Sequence, residues 1–321
     1  MSSEPKTDLE RVAALWDKTA SDRTVSPVQG WLDSPIVLES YVQPRITGSP
    51  SLNWLEGLAR RLDIPRTSRW LSLGCGAAGL EIFACKAGFC GSMRALDVSE
   101  GSLEVARQNA AKDRVGNIEF GTVDMNDVRL EKERWDVILM AMSLHHVKEL
   151  GAVLGGIHDA LAPGGLFITN EFIGPRQFQY TDLQLALVKE LLSTLPEFWR
   201  RDSATGGIKD EYIRMPVAHW NVADPSEAIR SDLIVEEIER RFEIVDRVDY
   251  GGTIMNLLAE HIMHNFDPAD QKDVAMVKML CRTEDILIRH GVIPSDFTVI
   301  AARAKRDSAP GPADGFRRRE P

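Results

Sequence analysis

A glycine-rich turn, Gly74-Cys75-Gly76-Ala77-Ala78-Gly79, closes a short apolar run and opens a helix-like apolar segment, Leu80 to Ala87. Glycines at its first, third and sixth positions let a backbone bend sharply and approach a ligand closely. Free N–H groups at the start of the following helix then face the same crevice. Two acids stand where such a crevice would extend. Asp97 comes about 20 residues after the glycines, where a carboxylate can accept hydrogen bonds from ribose hydroxyls. Asp124 follows a further apolar run; it can accept from an adenine amino group while Met125 packs on the ring face. The alternative is that each acid only caps the helix that follows it. Four further residues have proton-transfer chemistry: His145 and His146 after one apolar run, Glu171 after the next, and His219 beyond. One of two adjacent histidines commonly packs inward, and Glu171 can instead brace the segment that follows it. Taken alone, the G-x-G-x-x-G spacing is a weak signal that suits any dinucleotide fold.

These residues need strands to hold them. Trp70–Leu73, Met93–Asp97, Ile118–Val123, Trp135–Met140 and Leu166–Thr169 read as five strands. Helical segments alternate with them, one capped by Ser99 and another spanning Leu150–Leu161. Pro163-Gly164-Gly165 reads as a turn. Apolar strands alternating with helices predict a parallel sheet covered on both faces, with right-handed crossovers. The rhythm breaks after Phe172. Residues 173–240 read as a mainly helical insertion over the site, a substrate lid. In it, Thr181-Asp182-Leu183-Gln184 forms a capping box, and Ser226 is a plausible start for a helix through Ile234. Strand signals return at Phe242–Val248 and Phe297–Ala301, separated by helical stretches at Ile254–His264 and Asp270–His290. Residues 1–66 form a helical lead-in or cover. Its first eight residues read as frayed, Leu9, Val12, Ala13, Leu15 and Trp16 have helical spacing, and Ser51 is a plausible N-cap for a helix through Leu62. The core spans 67–304, and 305–321 reads as a disordered tail.

Bulk properties narrow the function. The chain has 321 residues and a net charge of −10, which argues against a phosphate backbone as partner. No apolar run approaches the roughly 18 residues a membrane span requires, and the polar N-terminus lacks a signal-peptide core. The expected location is the cytoplasm, with no membrane or nucleic-acid partner. Cys75, Cys85, Cys90 and Cys281 form no CxxC pair or zinc-spaced cluster; His261 and His264 lack further ligands at metal spacing, so no metal is expected. Arg176, Arg200, Arg201 and Arg214 in the insertion either bind a polar acceptor or pair with the chain's many acids.

Five motifs in order give this chain a resemblance to the class I S-adenosylmethionine-dependent methyltransferases. Leu73-Gly74-Cys75-Gly76 looks like their first motif, Leu96-Asp97-Val98-Ser99 like the ribose-binding one, and Val123-Asp124-Met125 like the adenine-side one. Trp135-Asp136-Val137-Ile138 with Ser143-Leu144-His145-His146, and Leu161-Ala162-Pro163-Gly164-Gly165-Leu166, are similar to the fourth- and fifth-strand regions. The resemblance implies an α/β, doubly wound, Rossmann-like sheet of seven strands, the last antiparallel. It implies S-adenosyl-L-methionine as cofactor, held by Gly74, Cys75, Gly76, Gly79, Asp97, Val98, Asp124, Met125 and Met140. It also implies methyl transfer to a small-molecule acceptor, here at oxygen, with His145 and Glu171 at the methyl-facing edge as the catalytic candidates. Two departures stand out. Ser72 occupies a position where the family usually has an acid, and the last glycine comes one place late, with Ala78 in its usual position. They motivate a rival reading, a catalytically silent methyltransferase-like binding or scaffold protein. A nicotinamide-dependent oxidoreductase fits the strand-three acid and the Pro-Gly-Gly turn poorly.

Overall fold

The computed structural model describes residues 11–12, 16–17 and 30–305. The expectations for residues 1–10, 13–15, 18–29 and 306–321, which include the frayed start and most of the tail, lie outside the described residues.

Seven strands form one sheet in the order β3-β2-β1-β4-β5-β7-β6. They are β1 Arg69–Leu73, β2 Ser92–Asp97, β3 Ile118–Thr122, β4 Trp135–Ala141, β5 Leu161–Phe172, β6 Phe242–Gly251 and β7 Phe297–Ala304. β1 to β5 are mutually parallel, and β7 runs antiparallel to both β5 and β6. The central strands are apolar on both faces because helices cover both. One core cluster contains Trp70, Leu139, Ile168 and Val299. The other contains Leu71, Leu73, Ile138, Met140 and Phe167.

The principal helices are α1 Trp54–Arg61, α2 Gly79–Lys86, α3 Glu100–Lys112, α4 Leu150–Ala160, α5 Asp182–Thr194, α6 Ile234–Arg241 and α7 Gln271–Arg289. Local chemistry accounts for their starts. Ser99 Oγ accepts from Ser102 N at α3, and Thr181 and Gln184 complete a reciprocal capping box at α5. At α1 the cap is Asn53, not Ser51, because its Oδ1 accepts from Leu55 N at 2.9 Å. Ser226 starts no helix. Its N–H and Oγ both donate to Asp224 Oδ1, which holds a turn, and α6 begins eight residues later. The expected helix at 254–264 shortens to Met255–Ala259 and a 3-10 turn, Met263–Asn265. His261 lies between them in the left-handed region, with φ 61°. The Pro-Gly-Gly segment is a bulge inside β5. Leu161 pairs with Trp135, the register shifts, and pairing resumes at Leu166 with Val137; Gly164 has φ 79°.

Candidate functional site

The glycine turn sits at the carboxyl edge of β1, where ligands bind in open α/β sheets. Gly74 N and Cys75 N donate to Leu96 O at 2.8 and 3.1 Å, tying the turn to β2. Gly74 has φ 75°, and a Cβ there would lie 2.4 Å from Ser143 Cβ and 3.2 Å from Met125 Sδ. Glycine is therefore required twice over, by conformation and by clearance. Gly76 has φ 52° with open space beside its Cα, and its N–H donates to Asp97 Oδ2 at 2.7 Å. The third left-handed position is Ala78, φ 55°, and not Gly79, which has open surroundings and an ordinary φ. The bend thus comes from residues 74, 76 and 78. Burial, then the nearby Glu81 and Asp97, push the Cys75 thiol up, so it is an inert neutral group.

Asp97 Oδ1 accepts from Ser99 N at 2.9 Å, and the residue is 9% exposed. Asp124 accepts from Asn126 N at 2.9 Å and so caps the 3-10 turn Met125–Asp127. Asn126 in turn accepts from Lys148 N and Glu149 N, which joins the loop after β3 to the loop after β4. Ser72, at the position without an acid, is buried and donates to Glu81 Oε1 at 2.7 Å. Glu81, from α2, is 3% exposed. Burial raises its carboxyl to about 7 against the hydrogen bond from Ser72. An acid stands beside this strand after all, supplied by the next helix.

The loop after β4 is organised by Glu171, which is fully buried. Its Oε1 accepts from Ser143 N at 2.6 Å and Leu144 N at 2.5 Å. Its Oε2 accepts from Phe172 N at 3.1 Å and meets His145 Nδ1 at 2.6 Å. The carboxylate is saturated by these partners. On its other side His145 Nε2 faces Glu227 Oε1 at 3.5 Å. Burial alone would lower this imidazole, but the charges of Glu171 and Glu227 outweigh it and push it up to about 10. His146 is pushed down, by burial and then by His145. Burial opposes ionisation of Glu227, yet the two imidazoles hold its carboxyl below the usual carboxylate range. His146 Nδ1 lies 3.1 Å from Ser226 Oγ, and Trp16 meets its ring edge-on at 5.4 Å.

A cavity of about 610 Å³ opens beside this loop, within the range of small-molecule and cofactor sites. Val98, Asp124, Met125 and Asn126 line one side; His146, Asn221 and Ser226 line another, with Arg11 and Val12 from the lead-in. A hollow of about 370 Å³ around Asp136 and Gly164 lies at the opposite, amino ends of the strands, the wrong edge for a ligand in this architecture.

Of the residues singled out from sequence, Val98, Asp124 and Met125 line the cavity. Gly74, Cys75, Gly76 and Asp97 form the hydrogen-bonded turn next to it. Met140 is fully buried in the core cluster with Leu71 and Leu73, off the cavity wall. His145 and Glu171 are enclosed behind the wall; His146 is the histidine on it. His219 is exposed against Trp220. Insertion arginines pair with acids: Arg176 with Asp232, Arg200 with Asp210, Arg214 with Asp182. Glu81, Asp224 and Glu227 were missed. Glu227 stands in an otherwise unremarked turn of the insertion, and no spacing rule connects it with a histidine pair some 80 residues earlier.

Fold and turn fit a nucleoside cofactor: a bare Cα at Gly76 facing open space, a carboxylate at the end of β2, and an open cavity beyond. The arrangement is similar to that of the class I S-adenosylmethionine-dependent methyltransferases. Residues 66–218, a little under half of the chain, match the model of a methyltransferase domain family.

Among relatives, the chain is 27% identical over 133 residues to a demethylmenaquinone methyltransferase of Geobacillus kaustophilus, covering 41% of this chain and 57% of that protein. It is 24% identical over 143 residues to a ubiquinone biosynthesis O-methyltransferase of Acinetobacter baylyi, covering 44% and 58%. The chain therefore spans little more than half the length of these relatives. A geranyl diphosphate C-methyltransferase from Streptomyces coelicolor A3(2), crystallised with Mg2+, geranyl diphosphate and S-adenosyl-L-homocysteine, shares the fold. It has a TM-score of 0.52 and 14% identity, and covers 94% of this chain and 100% of that one.

Proposed function

We propose that this chain transfers the methyl group of S-adenosylmethionine to an oxygen of a small molecule held in the 610 Å³ cavity. The observation that carries the reading is the continuity of that cavity's wall. Val98, Asp124 and Met125 on the cofactor side face His146, Asn221 and Ser226 of the β4 loop and the insertion. In this reading Gly74, Cys75, Gly76, Gly79, Asp97, Val98, Asp124 and Met125 hold the cofactor, and Met140 supports β4 from behind. Residues 173–240 act as the lid over the acceptor, and the lead-in covers the cofactor end. When bound, the cofactor supplies an already activated sulfonium methyl. The protein's task is then orientation and exclusion of water. Glu171 and His145 are positioning residues: Glu171 clamps the loop through Ser143 and Leu144 and holds the His145 ring, which sets where His146 stands. A small-molecule acceptor in this cavity is consistent with the demethylmenaquinone and ubiquinone-biosynthesis methyltransferases among the relatives, and the net charge of −10 disfavours nucleic acid.

Calorimetry with S-adenosylhomocysteine tests the cofactor half, with Asp97→Ala expected to weaken binding at least tenfold. Transfer of labelled methyl to oxygen-bearing aromatic acceptors tests the other half. Absence of binding to the wild type would sink the reading. Tight binding with no labelled product from any acceptor or cell extract would favour the silent scaffold that Ser72 suggested.

A further inference from the structure

The three side chains His145, His146 and Glu227 present ligand atoms that all lie within 4.8 Å of one another. We infer that they form a binding site for a divalent first-row transition metal ion, zinc or ferrous iron being the best chemical match.

The hydrogen-bond pattern carries the inference. His145 Nδ1 faces the Glu171 carboxylate at 2.6 Å. A carboxylate only accepts, so Nδ1 carries a hydrogen, and Nε2 is the nitrogen left to bind an ion, which would displace any proton held there. Ser226 Oγ gives its hydrogen to Asp224 Oδ1 at 2.6 Å, so it accepts from His146 Nδ1. The Nε2 of His146 is then the nitrogen left to bind an ion as well. Both Nε2 atoms face the same Glu227 carboxylate, at 3.5 and 3.9 Å. These separations are too long for good hydrogen bonds. They match the spacing of two ligands sharing one ion, which is about 3.4 Å for tetrahedral bonds of about 2.1 Å.

Two independent features agree. Each histidine has its far nitrogen fixed by a hydrogen-bonded partner, Glu171 for one and the Ser226–Asp224 pair for the other, the outer-shell arrangement that orients imidazole ligands. Asp224 Oδ2 is buried with no hydrogen-bond partner, so the enclosed cluster carries Glu171, Asp224 and Glu227 against two imidazoles. Lys148 and Arg11 line the adjoining cavity. Two imidazoles and one carboxylate favour a transition metal over Mg2+ or Ca2+. Three protein ligands leave a position open. Resting on the reading above, that position would take an oxygen of the acceptor, since His146 is on the cavity wall.

The site is tested on the full chain, purified without a histidine tag or chelator, by elemental analysis and by optical titration with Co2+. The expected result is close to one ion per chain, or saturable Co2+ uptake with visible d–d bands. Glu227→Ala and His146→Ala should each abolish uptake, and Ser226→Ala should weaken it by about tenfold. S-adenosylhomocysteine binding and the thermal melt of each variant report that it is folded. Wild-type protein with neither bound metal nor saturable Co2+ uptake overturns the site, as does uptake unchanged in both alanine variants. Metal content is read without cofactor or acceptor. Failure here therefore leaves the methyltransferase reading standing, and failure to bind S-adenosylhomocysteine leaves the metal result standing.

Discussion

At the residue scale, the turn after β1 separates two glycines that look equivalent in sequence. Gly74→Ala would place a Cβ 2.4 Å from Ser143 Cβ at φ 75°. Left-handed strain and the clash together cost on the order of 3 kcal/mol. Gly79→Ala meets open space at an ordinary φ and should leave stability within about 0.5 kcal/mol. Denaturant melts of the two variants check this, and equal losses would mean the turn differs from the one described. Glu81 gives a pH signature. Its carboxyl is raised to about 7, by burial first, from about 4.5 in an unfolded chain. Between those values the unfolded chain releases a proton that the folded chain keeps, so stability falls as pH rises through this window. Glu81→Gln keeps an acceptor for Ser72 and removes the penalty. It should gain on the order of 2 kcal/mol at pH 8 and nothing at pH 4. Asp296, also raised to about 7, by burial and then by Glu284, leaves a residual slope in the variant. Of this chemistry, the turn and both acids were readable because their spacing is local. Glu81 was not, because a buried acid within an amphipathic helix has the same sequence pattern as an exposed one.

At the element scale, caps explain which boundaries were legible. Ser99 and Thr181 act on the amides three residues ahead, so their helices start where composition predicts. The 254–264 segment has good helical periodicity yet stops at Ala259. Its start is instead set from a distance. Glu284 of α7, fully buried, accepts from Gly252 N, Ile254 N and Met255 N and from Tyr41 Oη. Burial pushes this carboxyl up, against those four donors. One side chain thus ties α7, the end of β6 and the 35–47 helical segment together. No local pattern announces such a contact. Glu284→Ala strands three backbone donors in the interior and should cost about 3–5 kcal/mol. Tyr41→Phe leaves those amides paired and should cost about 1 kcal/mol. Chemical denaturation of both distinguishes a buried junction from ordinary packing: similar small losses would refute the junction.

At the scale of the whole molecule, the cavity is assembled from parts of the chain far apart in sequence. The sheet edge contributes Val98 and Asp124, the insertion Asn221 and Ser226, and the lead-in Arg11 and Val12. The parallel part of the sheet was legible from alternating strands and helices, and its antiparallel end from the family resemblance. The closure was not, since nothing in composition says where a lead-in returns. Its attachment near the glycine turn is small and specific. Asp17 Oδ1 accepts from Ser99 Oγ at 2.6 Å and from Gly101 N at 2.9 Å, at the first turn of the helix that follows Asp97, where a carboxylate also complements the helix dipole. Asp17 touches none of the turn itself, so its loss should leave the cofactor's contacts intact and weaken only the cover. If the lead-in retains the cofactor, Asp17→Ala releases S-adenosylhomocysteine faster, by about tenfold for one part-buried and one exposed hydrogen bond. The association rate should change little, because affinity changes within one interface fall mostly on dissociation. Stopped-flow displacement resolves the two rates. An unchanged dissociation rate would mean that the lead-in rests on the domain without closing it, and that retention of the cofactor belongs to the insertion alone.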